Sequence, residues 1–261
     1  MVRMGRVISI ANQKGGVGKT TTAINLAACL AAYEYRTLIL DIDPQANATS
    51  GLGYDKSTVD KSLYDVLVEE IPLKSVLKET AIPTLFLVPS NLSLVGTEVE
   101  LVGLPSRELR LKRALAPIRD EYDYILIDCP PSLGLLAVNG LVAADSVLIP
   151  IQCEYYALEG LGKLISTIRL VQKSFNTELE IEGVLLTLYD SRLNLSKQVV
   201  EEARQYFKEK VYGTIIHRNV KLAEAPSFGK PIILYDILSR GAADYMELAR
   251  EIVNHAEESA G

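Results

Sequence analysis

Lys14-Gly15-Gly16-Val17-Gly18-Lys19-Thr20-Thr21 is the stretch on which the reading of this chain turns. It follows an apolar run, Val7-Ile8-Ser9-Ile10-Ala11, and precedes a helical pattern, Ala23-Ile24-Asn25-Leu26-Ala27-Ala28. Strand, glycine-rich turn and helix in that order are what a phosphate-cradling loop requires. The glycines let backbone N–H groups approach phosphate oxygens without Cβ clashes. The helix directs its partially positive N-terminus at the same anion. Lys19 adds a full charge, and the Thr20 hydroxyl can ligate Mg²⁺. Gln13 stands where the pattern G-x-x-x-x-G-K-[ST] has its first glycine, and Lys14 supplies a second cation there. A tight turn capping a helix would also use glycines, but the strand before and the Lys-Thr pair behind favour a nucleotide.

Working outward, β-branched apolar runs alternate with helical patterns. That alternation predicts an α/β fold, a doubly wound and mostly parallel sheet with helices on both faces. Thr37–Asp41 and Tyr124–Asp128 are apolar strands with acidic ends, as buried parallel strands read. Further strands are expected at Leu85–Ser90, Ser146–Ile151, Ile181–Thr187 and Val211–Ile216, giving seven or eight in all. Helices are expected at Ser62–Glu70 with Ser62 as N-cap, across a broken stretch from Glu98 to Arg119, and at Leu158–Gln172, Lys197–Lys208 and Gly241–His255. Asp43 to Gly51 reads as a polar loop. With no repeat or composition break, residues 1–261 read as one domain.

The 261 residues are 48% apolar, enough for a sizeable buried core. A net charge of −6 argues against a polybasic coat without excluding a local basic patch. Cys29, Cys129 and Cys153 are scattered and form no C-x-x-C, so reduced thiols in a cytosol are the simplest reading. No signal-peptide pattern precedes the loop, and no apolar run reaches the ~18 residues of a membrane span. A soluble, cytoplasmic protein is expected.

Ligands of such sheets sit beyond the carboxyl ends of the strands. The loop, Asp41-Ile42-Asp43 and Asp128-Cys129-Pro130-Pro131 all fall there. Asp128 suits a carboxylate holding Mg²⁺ through water, although a turn aspartate before Pro130-Pro131 is the plainer alternative. Asp41 and Asp43, taken alone, could equally be strand-end caps.

Lys14-Gly15-Gly16-Val17-Gly18-Lys19-Thr20 resembles the deviant Walker A loop of the ParA/MinD ATPases. Ala11-Asn12-Gln13 before it and Thr22 to Ala27 after it resemble the chromosomal ParA/Soj branch. The resemblance covers nearly the whole chain. It implies an ATP- and Mg²⁺-dependent DNA-partitioning ATPase with weak basal activity. In that family the lysine at Lys14 reaches the ATP of a second subunit. Lys14, Lys19 and Asp43 would then be catalytic, Asp43 orienting the attacking water in D-x-D-P-Q-x-N. Thr20 and Asp128 would hold Mg²⁺, with Asp41 supporting its shell. Thr187, Leu188, Arg218, Asn219 and Val220 resemble the adenine pocket.

His217 to Pro231 is locally basic in an acidic chain. Taken alone, its charges read as solvated surface. Few aromatics interleave them, so base stacking is not indicated, and contact with the phosphate backbone is what such a patch offers. By resemblance, Arg192 and Lys221 bind DNA without sequence preference once the ATP dimer forms, with Arg218, Lys230 and Arg240 as further candidates. A ParB-like centromere-binding partner would stimulate hydrolysis, and the protein would be nucleoid-associated. With the first strand starting close to Met1, the autoregulation that larger plasmid relatives achieve through an N-terminal operator-binding domain is not expected. The acidic end, Asn254 to Gly261, lacks the membrane helix of MinD, so no membrane partner is expected. Two other function classes share features of the fold: an ATP-dependent ligase of the dethiobiotin synthetase type, and a cluster carrier like nitrogenase iron protein, which the cysteine positions do not suit.

Overall fold

Successive side chains of a strand point to opposite faces of its sheet, and here both faces are covered. On one face Ile8, Ile10, Ile39, Leu126, Leu148 and Leu185 pack in one buried cluster. On the other, Val7, Leu38, Leu40, Ile125, Ile127 and Ile149 belong to a second. This two-sided burial is why the strand sequences are continuously apolar rather than alternating.

The computed structural model describes residues 5–154 and 161–258. β1 (Arg6–Ile10) leads to α1 (Lys19–Ala32), then β2 (Thr37–Asp41), α2 (Asn47–Gly51) and α3 (Leu63–Val68). β3 (Lys78–Glu79), β4 (Leu85–Val88), α4 (Thr97–Glu100), α5 (Arg110–Leu115), β5 (Tyr124–Asp128) and α6 (Leu135–Ala143) follow. The chain continues through β6 (Ser146–Gln152), α7 (Leu161–Ser174), β7 (Glu180–Tyr189) and α8 (Asn194–Phe207). β8 (Val211–His217), α9 (Val220–Glu224), α10 (Ile232–Tyr235) and α11 (Arg240–Glu258) complete it. Among the described residues the sheet has eight strands in the order β3-β4-β2-β5-β1-β6-β7-β8. All neighbours are parallel except β3, which runs antiparallel to β4. β1 lies where the strand order reverses, so the loop after it opens at the switch point favoured for ligands in this architecture.

α1, α10 and α11 cover one face, and α3, α5, α6, α7 and α8 the other. Ser62 does cap α3: its hydroxyl accepts from the Tyr64 N–H, and Asp65 reaches back to the Ser62 N–H. The sequence pattern missed α6. Its Leu135-Leu136-Ala137-Val138 start is apolar all round because it is packed between sheet and helices, so it carries no amphipathic period. Gly140 permits that packing, since a Cβ there would lie 2.9 Å from Cys129 Sγ and from Ile42 Cδ1. The expected polar loop after Asp43 also contains a helix, α2, and β3 went unread because it spans two residues. The broken stretch from Glu98 to Arg119 is short helical pieces, with α5 its longest. The expected helix start at Leu158 lies outside the described residues.

Candidate active site

Strand register brings the chemistry together. Ile10 is level with Asp128, and Asp128 is level with Asp41. Three adjacent strands therefore end in one row, and the glycine-rich loop rises from the middle of the sheet. Asn12 anchors its start: Nδ2 donates to the Pro150 carbonyl at 2.7 Å, and Oδ1 accepts from the Lys14 N–H at 3.0 Å. Gly16 and Gly18 hold φ of +73° and +85°, which only glycine adopts without penalty. Gly18 caps α1, and no side chain caps that end. A 14-residue helix thus presents its first N–H groups to whatever the loop encloses.

Lys19 is buried, and its Nζ donates to the Lys14 carbonyl at 3.1 Å. Burial lowers its pKa, opposed chiefly by the Asp128 charge. Asp128 is fully buried, and neither carboxylate oxygen has a hydrogen-bond partner among the described residues. Burial pushes its pKa well above the usual carboxylate range; the Asp41 charge adds to this, and the Thr20 hydroxyl opposes it. An orphaned buried carboxylate beside a hydroxyl and a phosphate loop fits a hydrated divalent cation, whose waters would donate to it. Among the described residues no three His, Cys, Asp or Glu side chains converge to hold a metal by themselves. Such an ion would therefore rest mainly on phosphate and water oxygens, as Mg²⁺ does.

Asp41 differs from Asp128. Its Oδ2 accepts from both the N–H and the hydroxyl of Thr49 at 2.7 Å, and Oδ1 accepts from the Asp43 N–H at 3.2 Å. Burial raises it to about 6, against the bonds from Thr49. Oδ2 fastens α2 to β2 and Oδ1 holds the turn at Asp43, so Asp41 braces the site from behind. Thr49 then accepts from the Ser90 N–H, and the Ser90 hydroxyl donates to the Asp43 carbonyl. Asp43 is held by that carbonyl and by Oδ1, which accepts from the Gln45 N–H at 2.9 Å. Its Oδ2 takes no hydrogen bond among the described residues and is the oxygen available to a water. Ala46 turns the chain into α2 at φ +53°. A cavity of about 400 Å³ beside this loop is lined by Thr20, Thr21, Asn47, Lys56 and Pro226. A larger one of about 620 Å³, lined by Val66, Leu73, Arg110 and Arg113 among others, shares no residue with the site.

The residues expected at an adenine lie at the end of β7, after β8 and at the start of α9. Thr187 is buried with its hydroxyl on the Val17 carbonyl, so it supports the loop. Leu188 follows at φ +52°, a conformation costly for a leucine. The Arg218 N–H donates to the Tyr189 carbonyl, and Asn219 caps α9 through the Lys221 N–H. Val220 is 70% exposed beside them. Asn12, Thr49 and Ser90 were not singled out from the sequence. Asn12 and Ser90 bond main-chain groups, and Thr49 bonds the Asp41 carboxylate and the Ser90 N–H, pairings that no residue spacing reveals.

The basic candidates are exposed but mostly paired. Arg192 forks onto Asp190 at 2.7 and 2.9 Å, holding that carboxylate down to about 2. Arg218 pairs with Glu154, Lys221 with Glu224, and Arg240 with Asp244. Lys230 is exposed and makes no ion pair among the described residues. The three cysteines are free and buried, and burial pushes each thiol up to about 12, which leaves them unreactive at neutral pH.

Residues 5–181 match the family described as AAA domain. The Bacillus subtilis protein named sporulation initiation inhibitor protein Soj is 59% identical over 249 residues, covering 95% of this chain and 98% of its own. The Myxococcus xanthus chromosome partitioning protein ParA is 58% identical over 250 residues, covering 96% and 88%. Among solved structures, Mycobacterium smegmatis cobyrinic acid a,c-diamide synthase, with a bound ATP analogue and magnesium, superposes with a TM-score of 0.87 at 37% identity. That match covers 98% of this chain and 97% of the other.

Proposed function

The chain belongs to the ParA/MinD family of P-loop ATPases, in its Soj branch, and from that membership we propose an ATP-driven DNA-partitioning switch that closes as a homodimer. One observation carries the reading. Lys19 already serves the loop of its own subunit, bonded to the Lys14 carbonyl, while the Lys14 ammonium makes no hydrogen bond or ion pair among the described residues. A cation held at a phosphate cradle without a partner of its own suits the nucleotide of a second subunit. Lys14→Ala is therefore expected to stay monomeric with ATP and to lose hydrolysis, measured by light scattering after gel filtration and by phosphate release. An ATP-bound Lys14→Ala dimer would remove that role.

Thr20 and Asp128 would hold Mg²⁺, which when bound would neutralise charge on the phosphates. Asp41 keeps the α2 loop in register, and Asp43 orients the water that attacks the terminal phosphate. Gly15, Gly16, Val17, Gly18, Thr20 and Thr21 line the phosphate end. Leu188, Arg218, Asn219 and Val220 lie toward the base. With only these groups in place, basal turnover is slow, and a ParB-like partner accelerates it. Residues 1–261 act as one catalytic domain; strands from residue 6 to residue 217 share one sheet and α11 packs against α1.

Only the closed dimer grips duplex DNA, through Arg192 and Lys221, joined by Arg218, Lys230 and Arg240. The carboxylates now paired with four of these cations exchange for DNA phosphates, so binding is sequence-independent and steeply salt-dependent. Doubling the patch in the dimer raises its avidity. Nucleoid association follows from that grip. Among the described residues no helix is long and apolar enough to cross a membrane. In the Arg192→Ala, Lys221→Ala double variant, DNA affinity should fall while the ATP dimer persists. The log–log salt slope should shrink by about 0.9 for each phosphate that is no longer neutralised. An unchanged salt titration would locate the DNA surface elsewhere. The likeness to a diamide synthase keeps one competitor in view, an ATP-dependent ligase. DNA-stimulated turnover favours the partition switch; metabolite-stimulated turnover favours the ligase.

A further inference from the structure

Thr187 ends the buried part of β7, level with Gln152 of β6. Its carbonyl accepts from the Cys153 N–H at 2.9 Å, and the Cys153 carbonyl accepts from the Ser196 hydroxyl at 3.0 Å. The residue is 2% exposed. From this fixed base its hydroxyl donates to the Val17 carbonyl at 2.9 Å, 170 residues away in sequence. A Cβ built on Gly18 would rest 3.8 Å from the Thr187 side chain, so the two segments are in contact.

The Val17 carbonyl and the Gly18 N–H belong to one planar, trans peptide unit, and in such a unit they point in opposite directions. Holding the oxygen toward β7 therefore holds the Gly18 N–H away from it. The unit would otherwise be easy to turn over. Its rotation changes φ of Gly18, now +85°, and glycine accepts either sign of φ. Turned over, the unit would present a carbonyl oxygen where an anion needs a donor.

We propose that Thr187 is a positioning residue that locks the Val17–Gly18 peptide in its anion-binding orientation and so sets phosphate affinity without touching the base. This rests on reading the loop as a nucleotide cradle. Thr187→Val keeps the shape and removes the donor, Thr187→Ser keeps the donor, and Thr187→Cys keeps only a weak one. Each is titrated with a fluorescent ATP analogue and competed with ATP and with tripolyphosphate, in Mg²⁺. Thr187→Val should weaken ATP and tripolyphosphate alike, by about five- to tenfold, with Thr187→Ser within about twofold of the parent. Thr187→Cys should fall between, and it carries the test if the valine variant does not fold. Three results would overturn the lock: unchanged ATP affinity without the hydroxyl, a loss confined to ATP, or no recovery with serine. The middle one would make Thr187 a contact to the base. A parent protein that bound no ATP would strike earlier, at the cradle itself, before any variant is compared.

Discussion

Asp128→Asn should melt at a higher temperature than the parent when free of nucleotide and Mg²⁺, yet lose Mg²⁺-dependent ATP hydrolysis. The parent buries a carboxylate with two unpartnered oxygens. Burial first and the Asp41 charge second raise its pKa in the folded state. A carboxyl whose folded pKa exceeds its unfolded value binds its proton more tightly when native. Its contribution to stability is therefore greatest at low pH and declines as pH rises from about 4, the unfolded value, through the raised folded one. At neutral pH the parent carries much of that penalty. An amide of the same size leaves its polar atoms unpaired too, but a neutral group costs less to bury than a charge. The gain should be about 1–3 kcal/mol, which corresponds to a rise of a few degrees in Tm for a chain of about this length. Melts between pH 4 and pH 8 check the sign: the two proteins should converge at the acid end and separate as pH rises. Adding Mg²⁺ and ATP should stabilise the parent far more than the variant. A variant that melts at or below the parent at pH 8 would mean that Asp128 is not a strained, uncompensated charge. Stability and activity oppose each other at this one residue because the charge that strains the empty site is the one a cation needs.

The strand–loop–helix around Lys14 to Thr21 and the two acid-tipped strands were legible because each is a local pattern. A buried parallel strand must be apolar throughout, and a phosphate loop must be glycine-rich. Register could not be read that way. That Asp41 and Asp128 end level on neighbouring strands is a property of β2 and β5 together. For the same reason the aspartates could not be told apart in sequence. Asp41 meets Thr49, eight residues on, whereas Asp128 accepts no hydrogen bond among the described residues. Thr187 was placed at an adenine pocket by resemblance alone. The acceptor of its hydroxyl, the Val17 carbonyl, is a main-chain group with no sequence signature. The basic segment was visible as a run of charge, but not the Glu154 carboxylate that answers Arg218 from the far end of β6. α6 was hidden by its own burial, since a helix apolar on every side looks like no helix in particular.

Asp43→Ala should leave an ATP-bound dimer intact while slowing phosphate release by about two to four orders of magnitude, the usual range for a positioned acid–base group. The bonds that hold residue 43 in place are mostly main-chain. Its N–H donates to Asp41, and its carbonyl accepts from the Ser90 hydroxyl and the Ala46 N–H. Alanine keeps all three, so α2 and the cradle need not move. What disappears is one carboxylate: Oδ1, which accepts from the Gln45 N–H, and Oδ2, which takes no hydrogen bond among the described residues. A carboxylate fixed by one oxygen with the other free is arranged to hold a water at a set angle, and orientation of the nucleophile is much of what protein groups add to phosphoryl transfer. Gel filtration with ATP and Mg²⁺ reads the dimer, and single-turnover phosphate release reads the chemistry. Parent-like release from Asp43→Ala would remove the residue from the reaction. Loss of the dimer together with turnover would give it a binding role instead. The separation matters for the switch as a whole: if turnover can be stopped without opening the dimer, the lifetime of the DNA-bound state is set by the water beside Asp43 and not by how tightly the nucleotide is held.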